Sequence, residues 1–266
     1  MLAGVFDRVA DTYDAVGIEL FQPIAARLVA ELAPQPGERA LDVGCGRGAV
    51  VFRLAGAVGV SGAVTGIDIS PRMVEATRAD AVAKGLDVDI RVCDAQSPGL
   101  RPATCDVVAS SLVLFFLPDP LAALRAWRAL LVEGGRVGVS TFGAVSEHWR
   151  GVDEVFKPYL PQGMRDARTT GNEGPFASDA GTERLLSDAG YGHVRTATMT
   201  VPVRFGDKDH WHRWSWSVGQ RAMWEAVPEE RRDSVRALAY QRLDGCRDAD
   251  GLIGFDQVVR FTLGRR

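Results

Sequence analysis

Positive charge is in short supply: 31 Lys and Arg stand against 34 Asp and Glu, a formal net charge of −3. A chain of that balance has no bulk attraction for phosphate backbones or anionic lipid, so neither nucleic acid nor a membrane surface is expected as a partner. The Gly-Arg-Arg end (264–266) is too short to alter this. No apolar run is long enough for a membrane-crossing helix. The opening MLAGVFDRVADTYD has early acids and lacks a basic-then-apolar leader pattern. Cysteine is sparse: Cys45, Cys93, Cys105 and Cys246 form no CxxC pair. Neither a disulfide framework nor a thiolate metal site is expected, and the chain reads as cytoplasmic with reduced thiols. There are only four histidines. His210 and His212 would lie about 200° apart on a helix, which disfavours a shared metal ion. No repeat or low-complexity tract appears, and oligomeric state is not readable.

What is present is the composition of an ordinary globular protein: 266 residues, 46% apolar and 24% charged. Helical spacing of Phe6, Val9 and Tyr13, then of Ile24, Leu28 and Leu32, opens the chain. Strand-like runs follow at 39–43, 63–67, 87–93, 106–110 and 136–142. Between them lie helical stretches, two of them with clear openings. Ser70-Pro71 and Asp119-Pro120 each offer a capping side chain followed by a proline for the first turn. Strand and helix alternating about five times predict a doubly wound α/β fold with a mostly parallel, seven-stranded, Rossmann-like sheet. Ligands of such sheets sit at the C-terminal strand ends. Residues 1–142 read as N-terminal helices plus this ligand-binding core. Residues 143–266 read as a substrate-side segment: an excursion over 143–178, a helix over 178–190, a helical cap over 206–250 above the strand ends, and two last strands (194–203 and 252–263) that complete the sheet.

The first strand runs into Leu41-Asp-Val-Gly-Cys-Gly-Arg-Gly48. Glycines in a strand-to-helix turn let a ligand approach the backbone. The spacing Gly44-x-Gly46-x-Gly48 differs from the G-x-G-x-x-G of dinucleotide folds, and Asp42 would repel a pyrophosphate while suiting an ammonium group. Asp68 ends the second strand, where an acid can accept both hydroxyls of a ribose. Asp94 follows the third strand, where it could accept from an adenine amine. Each acid alone is equally an ordinary turn or capping residue. Together they describe a phosphate-free nucleoside carrying an amine.

On these motifs the sequence resembles the class I S-adenosylmethionine-dependent methyltransferases, in particular the small-molecule branch of the ubiquinone-biosynthesis type. The resemblance is carried by FDRVADTYD (6–14), ALDVGCGRG (40–48), GIDISPRM (66–73), VCDA (92–95), DVVASSLVLFFLPD (106–119) and LLVEGGRV (130–137). It implies S-adenosylmethionine as cofactor, S-adenosylhomocysteine as product and a small-molecule acceptor. It also implies roles: Gly44, Cys45 and Gly46 against the methionine part, Asp42 near its ammonium, and Asp68 on the ribose. Ile69 and Met73 would pack on the adenine, Asp94 and Ala95 would meet its polar edge, Ser110 would present its backbone near the methionyl group, and Tyr13 would close over the cofactor. Phe115 stands where many relatives have His.

Four of the six tryptophans fall in HWHRWSWSVGQRAMW (210–224). Trp211, Trp214 and Val218 share a helical face, either as core of the cap or as an aromatic wall for a flat or apolar acceptor, with Trp149 and Phe115 as further contacts. Base candidates are His148, which closely follows the 136–142 strand, then His210 and Tyr13, with His212 and Glu147 behind them. An electron-rich carbon or an ionised oxygen would need no base, and O-, N- and C-acceptors stay open. Two rival readings remain: a nicotinamide oxidoreductase, against which the glycine spacing and Asp42 speak, and a non-methylating cofactor-binding protein or cyclase. Nucleic-acid methylation would want a basic groove or an Asn/Asp-Pro-Pro-aromatic motif, and AlaSerSerLeu (109–112) stands in its place.

Overall fold

The computed structural model describes residues 2–162 and 174–266, so part of the expected excursion, 163–173, lies outside the described residues. Its centre is a seven-stranded sheet of order β3-β2-β1-β4-β5-β7-β6. The strands are β1 (Arg39–Val43), β2 (Ala63–Asp68), β3 (Asp89–Val92), β4 (Cys105–Ser111), β5 (Leu131–Phe142), β6 (Gly192–Phe205) and β7 (Ile253–Arg265). The first five are mutually parallel, and β7 runs antiparallel to both of its neighbours. The strand order reverses between β1 and β4, so the crevice of this sheet opens where those two strands end.

The helices form where the side chains dictate. After α1 (Leu2–Val9), α2 (Phe21–Leu32) buries Ile24, Leu28 and Leu32 and stops at Ala33 in the left-handed conformation. The turn after β1 leads into α3 (Val51–Val58). Ser70 caps α4 (Pro71–Ala83) by accepting from the Met73 amide, and Asp119 caps α5 (Pro120–Leu130) by accepting from Ala122. Beyond β5 come α6 (Glu147–Asp153), capped by Ser146, and α7 (Asp179–Asp188), capped by Ser178. The insertion between β6 and β7 folds into α8 (Lys208–Ser217), α9 (Arg221–Ala226) and α10 (Arg232–Leu243).

Three local expectations change. Tyr13 lies past the end of α1, in a turn. β5 begins at Leu131, before the Gly134-Gly135 pair: Leu131 pairs with Cys105, the register then shifts, and pairing resumes at Arg136. Within the excursion, residues 147–159 are helical.

Arg260 of β7 ties the two ends of that excursion to the sheet. Its side chain is 8% exposed and donates to the carbonyls of Phe142, Phe176 and Ala177 and to the Asp179 carboxylate. Removing it strands three carbonyls in a dry environment. Arg260→Ala is therefore expected to cost about 2–4 kcal/mol, read as a lowered midpoint in urea denaturation.

Candidate active site

The crevice is built by the turns that follow β1, β2 and β4. Gly44, Gly46 and Gly48 all have positive φ. They differ in what a side chain would meet. A Cβ on Gly44 would lie 2.3 Å from Val113 Cγ2, because the turns after β1 and β4 touch across the strand-order reversal. A Cβ on Gly46 would enter open space, since this residue lines a cavity of about 60 Å³ together with Tyr13, Phe21, Asp42, Gly44, Cys45 and Ser111. The glycines thus serve two ends: Gly44 permits the packing and Gly46 leaves room for a ligand. A second cavity of about 470 Å³ lies outside it, and Tyr13, Asp14, Gln22, Arg47 and Ala49 line both.

Two carboxylates define the electrostatics. Asp42 is 1% exposed, and neither of its oxygens has a well-formed hydrogen bond, though the Val51 amide comes near enough to lower its pKa a little. Burial, reinforced by the charge of Asp68, pushes its carboxyl up to about 8. Asp68 accepts from the Gly46 amide (2.8 Å) and the Ser70 amide (2.9 Å). Burial nevertheless outweighs those bonds and raises its pKa. Each Asp68 oxygen keeps a lone pair for a further donor. An orphaned, desolvated carboxylate beside exposed backbone suits a cationic group and disfavours phosphate.

The N-terminal segment lines this site. Tyr13 stacks on Phe21 with ring centroids 4.7 Å apart, and Phe6 meets both Tyr13 and Phe116 edge-on. Arg47 fastens the segment by donating to the Ala10 carbonyl and to Asp80. From the cap, His210 Nε2 lies 2.9 Å from the Val16 carbonyl, and its Nδ1 accepts from the Gly206 amide. Burial first, then the charges of Asp14 and Asp68, raise the Tyr13 phenol above its ordinary range, so it stays protonated.

The expected site residues separate accordingly. Tyr13, Asp42, Gly44, Cys45 and Gly46 come together at the inner cavity, and Asp68 is bonded to its rim through Gly46. Ile69, 47% exposed, stands beside Asp68, and the Cys93 amide bonds the Asp68 carbonyl to bring the Asp94 turn alongside. Asp94 is exposed and accepts from the Gln96 amide; Ala95 is buried. Ser110 is fully buried with its hydroxyl on the Val43 carbonyl, and its neighbour Ser111 faces the cavity and hydrogen-bonds Ser140. Met73 is buried in a small cluster with Val9 and Ala10, against which Phe6 and Tyr13 pack.

On the acceptor side the side chains exchange places. Trp149, Trp211 and Trp214 are cap core: Trp149 stacks on Phe255 and Phe205, and Trp211 packs on Trp224 and Tyr240. They do not form an open wall. Phe115 is buried against Phe142 and Phe176, while Phe116 is the half-exposed ring. His148 is exposed on the cap surface near Gly245. His212 accepts from Trp216 Nε1, and burial, helped by Arg236, lowers its pKa. Among the described residues, no group of three or more His, Cys, Asp and Glu could hold a metal, and no helix is long and apolar enough to cross a membrane.

Comparison with known proteins agrees with this geometry. Residues 41–139 match the model of a methyltransferase domain family. Over 98% of this chain and 97% of the relative, the sequence is 36% identical to a nocamycin O-methyltransferase from Saccharothrix syringae. The chain belongs to the S-adenosylmethionine-dependent methyltransferases. It is also 39% identical to an aklanonic acid methyltransferase from a Streptomyces species, over 60% of this chain and 73% of the relative. The fold of this methyltransferase matches the YcgJ protein from Bacillus subtilis with a TM-score of 0.63 at 16% identity, covering 92% and 98% of the two chains. Its cofactor is S-adenosylmethionine and its substrate a small molecule, so the oxidoreductase and cyclase readings give way.

Two measurements test the site. Asp42 must ionise to meet an ammonium group, so product binding should expel its proton. Calorimetry of S-adenosylhomocysteine binding at a pH below about 8, repeated in buffers of different ionisation enthalpy, should show proton release approaching one in the wild type and none in Asp42→Asn. Because the folded-state pKa is raised, this group's contribution to stability is present below its unfolded value and is lost as pH rises through about 8. The unliganded Asp42→Asn variant should lose that slope in thermal melts. Separately, Gly46→Ala should keep the fold, with a loss of about 1–2 kcal/mol for its left-handed backbone, yet bind the product at least about tenfold more weakly. Gly44→Ala should fail first in folding.

Proposed function

We propose that this methyltransferase transfers the methyl group to an oxygen of a small, largely apolar natural product. The relative matched over nearly its whole length is named an O-methyltransferase, and that agreement extends through the cap as well as the cofactor core. The second relative is named for a small organic acid. The observation that carries the reading is the group of half-exposed rings near the strand ends: Tyr13 and Phe21 line the inner cavity, and Phe6 touches both Tyr13 and Phe116. The four cysteines are unpaired thiols, which agrees with a reducing cytoplasm.

In this reading Asp42 faces the cofactor ammonium, while Gly44, Cys45 and Gly46 offer bare backbone to its methionine part. Asp68 takes the ribose, Ile69 one adenine face, and Asp94 and Ala95 the adenine edge. The Ser110 backbone lies near the methionyl group, and the neighbouring Ser111 lines the same cavity. The bound cofactor supplies an electrophilic methyl on a sulfonium. The protein's own work is alignment and exclusion of water: Tyr13 and Phe21 seal the inner cavity, and the Arg47 and His210 bonds hold that seal against core and cap. Positive charge disappears from sulfur as transfer proceeds, which a dry aromatic enclosure favours over bulk water.

The test is incubation with methyl-labelled cofactor and a panel of hydroxy- and carboxy-substituted aromatic metabolites. Label should appear on oxygen in at least one member. Label found only on nitrogen or carbon would refute the O-acceptor assignment.

A further inference from the structure

The glycine turn after β1 is held from outside its own strand. Gly46 has a φ of 48°, a conformation that glycine enters and leaves at little cost. Having no side chain, it has nothing of its own to fix its peptide groups. Two side chains of the β2–α4 unit do so instead. The Gly46 amide donates to Asp68 at 2.8 Å, and the Gly46 carbonyl accepts from the Thr77 hydroxyl at 2.5 Å. Asp68 already has a part in the reading above; Thr77 has none.

Thr77 lies in the middle of α4, fully buried, among the residues that face the core with it: Met73, Val74 and Ala81. Alanine would suit such a helical position better, with a higher propensity and no polar atom to bury. A threonine inside a helix commonly returns its hydroxyl to the carbonyl one turn back. This one donates to the glycine turn instead. One turn further along α4, Asp80 bonds the Arg47 side chain at 2.7 Å. α4 therefore grips two successive residues of the turn, Gly46 by its backbone and Arg47 by its side chain.

The amides of the turn show what that grip does. Gly44 and Cys45 donate to the Ile67 carbonyl, Gly46 to Asp68, and Gly48 to the Cys45 carbonyl. Among the described residues, the Arg47 amide has no acceptor. It shares a trans peptide unit with the Gly46 carbonyl, so the two groups point in opposite directions. While Thr77 holds the carbonyl toward α4, the Arg47 N–H points away from α4, and Arg47 lines the inner cavity.

We propose that Thr77 is a positioning residue for the cofactor: through the Gly46 carbonyl it turns the Arg47 N–H into the inner cavity, where that amide donates to the carboxylate of the methionine part. This rests on the placement of Gly46 against the methionine part given above and goes beyond it. The arrangement complements Asp42, since an acid suits the ammonium and an unpaired amide suits the carboxylate. Without the Thr77 hydroxyl, rotation within Gly46 moves the 46–47 peptide but leaves the Gly46 amide on Asp68, because amide and carbonyl belong to different peptide units. The adenosine end of the cofactor should not feel that change.

The test is calorimetry with S-adenosylhomocysteine and with 5′-methylthioadenosine, which keeps the adenosine and the sulfur but lacks the amino-acid end. Thr77→Val removes the hydroxyl and keeps the shape. It should bind S-adenosylhomocysteine about tenfold more weakly, and methylthioadenosine within about twofold of the wild type. Thr77→Ser keeps the hydroxyl and should bind S-adenosylhomocysteine within about threefold of the wild type. A threonine that only supported the fold would lower the melting temperature without separating the two ligands. Unchanged S-adenosylhomocysteine affinity in the valine variant, equal weakening of both ligands, or a serine variant as weak as the valine one would each overturn the proposal. Amide exchange of the wild type, followed by NMR, needs no variant to fold. The Arg47 amide should exchange at least about tenfold more slowly with S-adenosylhomocysteine bound, and methylthioadenosine should give no such protection. Protection by both ligands or by neither would overturn the proposal as well. The failures are separable: a wild type that does not bind S-adenosylhomocysteine, or a Gly46→Ala variant that binds it normally, would strike the site reading, whereas normal wild-type binding with an indifferent Thr77→Val would strike this inference alone.

Discussion

The site depends on one unfavourable arrangement: an acid, Asp42, held in a dry pocket without a well-formed hydrogen bond and with Asp68 close enough to raise its pKa further, so that ionising it without a ligand is costly. A folded protein tolerates such a group only where the surrounding strands over-determine its position. β1 does so, being buried along Ala40–Val43 and paired on both sides. The cost recurs as specificity. A ligand bringing an ammonium group relieves the desolvation and the repulsion together, whereas one bringing a pyrophosphate would add to both. The same parallel-sheet edge that serves dinucleotides elsewhere is thereby committed to a cationic nucleoside.

Closure follows the same logic from the other side. A sulfonium is best handled away from water, and the wall that excludes water here is short. It consists of Tyr13 and Phe21 with Phe6 behind them, carried on a segment whose own core contact is the small cluster of Val9, Ala10 and Met73. So small an apolar anchor contributes modestly, and polar fastenings add to it: Arg47 to the Ala10 carbonyl, His210 to the Val16 carbonyl, and Arg8 to Glu225. Two of these come from the cap. The cap and the N-terminal segment beside the crevice are thus bonded to each other directly.

What was legible in the sequence was the part dictated locally. The strand runs at 39–43 and 63–67, the Ser70-Pro71 and Asp119-Pro120 helix openings, and the acids at strand ends depend on periodicity, capping and chain order, all of which act over a few residues. What the sequence leaves open lies where tertiary context decides. Ser110 and Ser111 are adjacent and alike; the Ser110 hydroxyl turns to the Val43 carbonyl while Ser111 lines the inner cavity, and the chain turns at Leu112 with a positive φ. Phe115 and Phe116 divide between core and opening in a 3₁₀ turn, where neighbouring side chains diverge. The tryptophan run signalled aromatic packing correctly in kind, but whether a ring faces a ligand or Phe205 and Phe255 depends on strands distant in sequence.

The two halves of the molecule therefore answer to different constraints. The cofactor half is built on glycine backbone and strand-end acids, where a single methyl group is excluded at Gly44 by Val113. Little can vary there without loss of the packing itself. The cap is joined to the sheet through β6 and β7, through Arg260 at the ends of the excursion, and through hydrogen bonds to the N-terminal segment. Its interior of stacked and edge-on rings can be re-cut by exchanging one large side chain for another while those attachments stay.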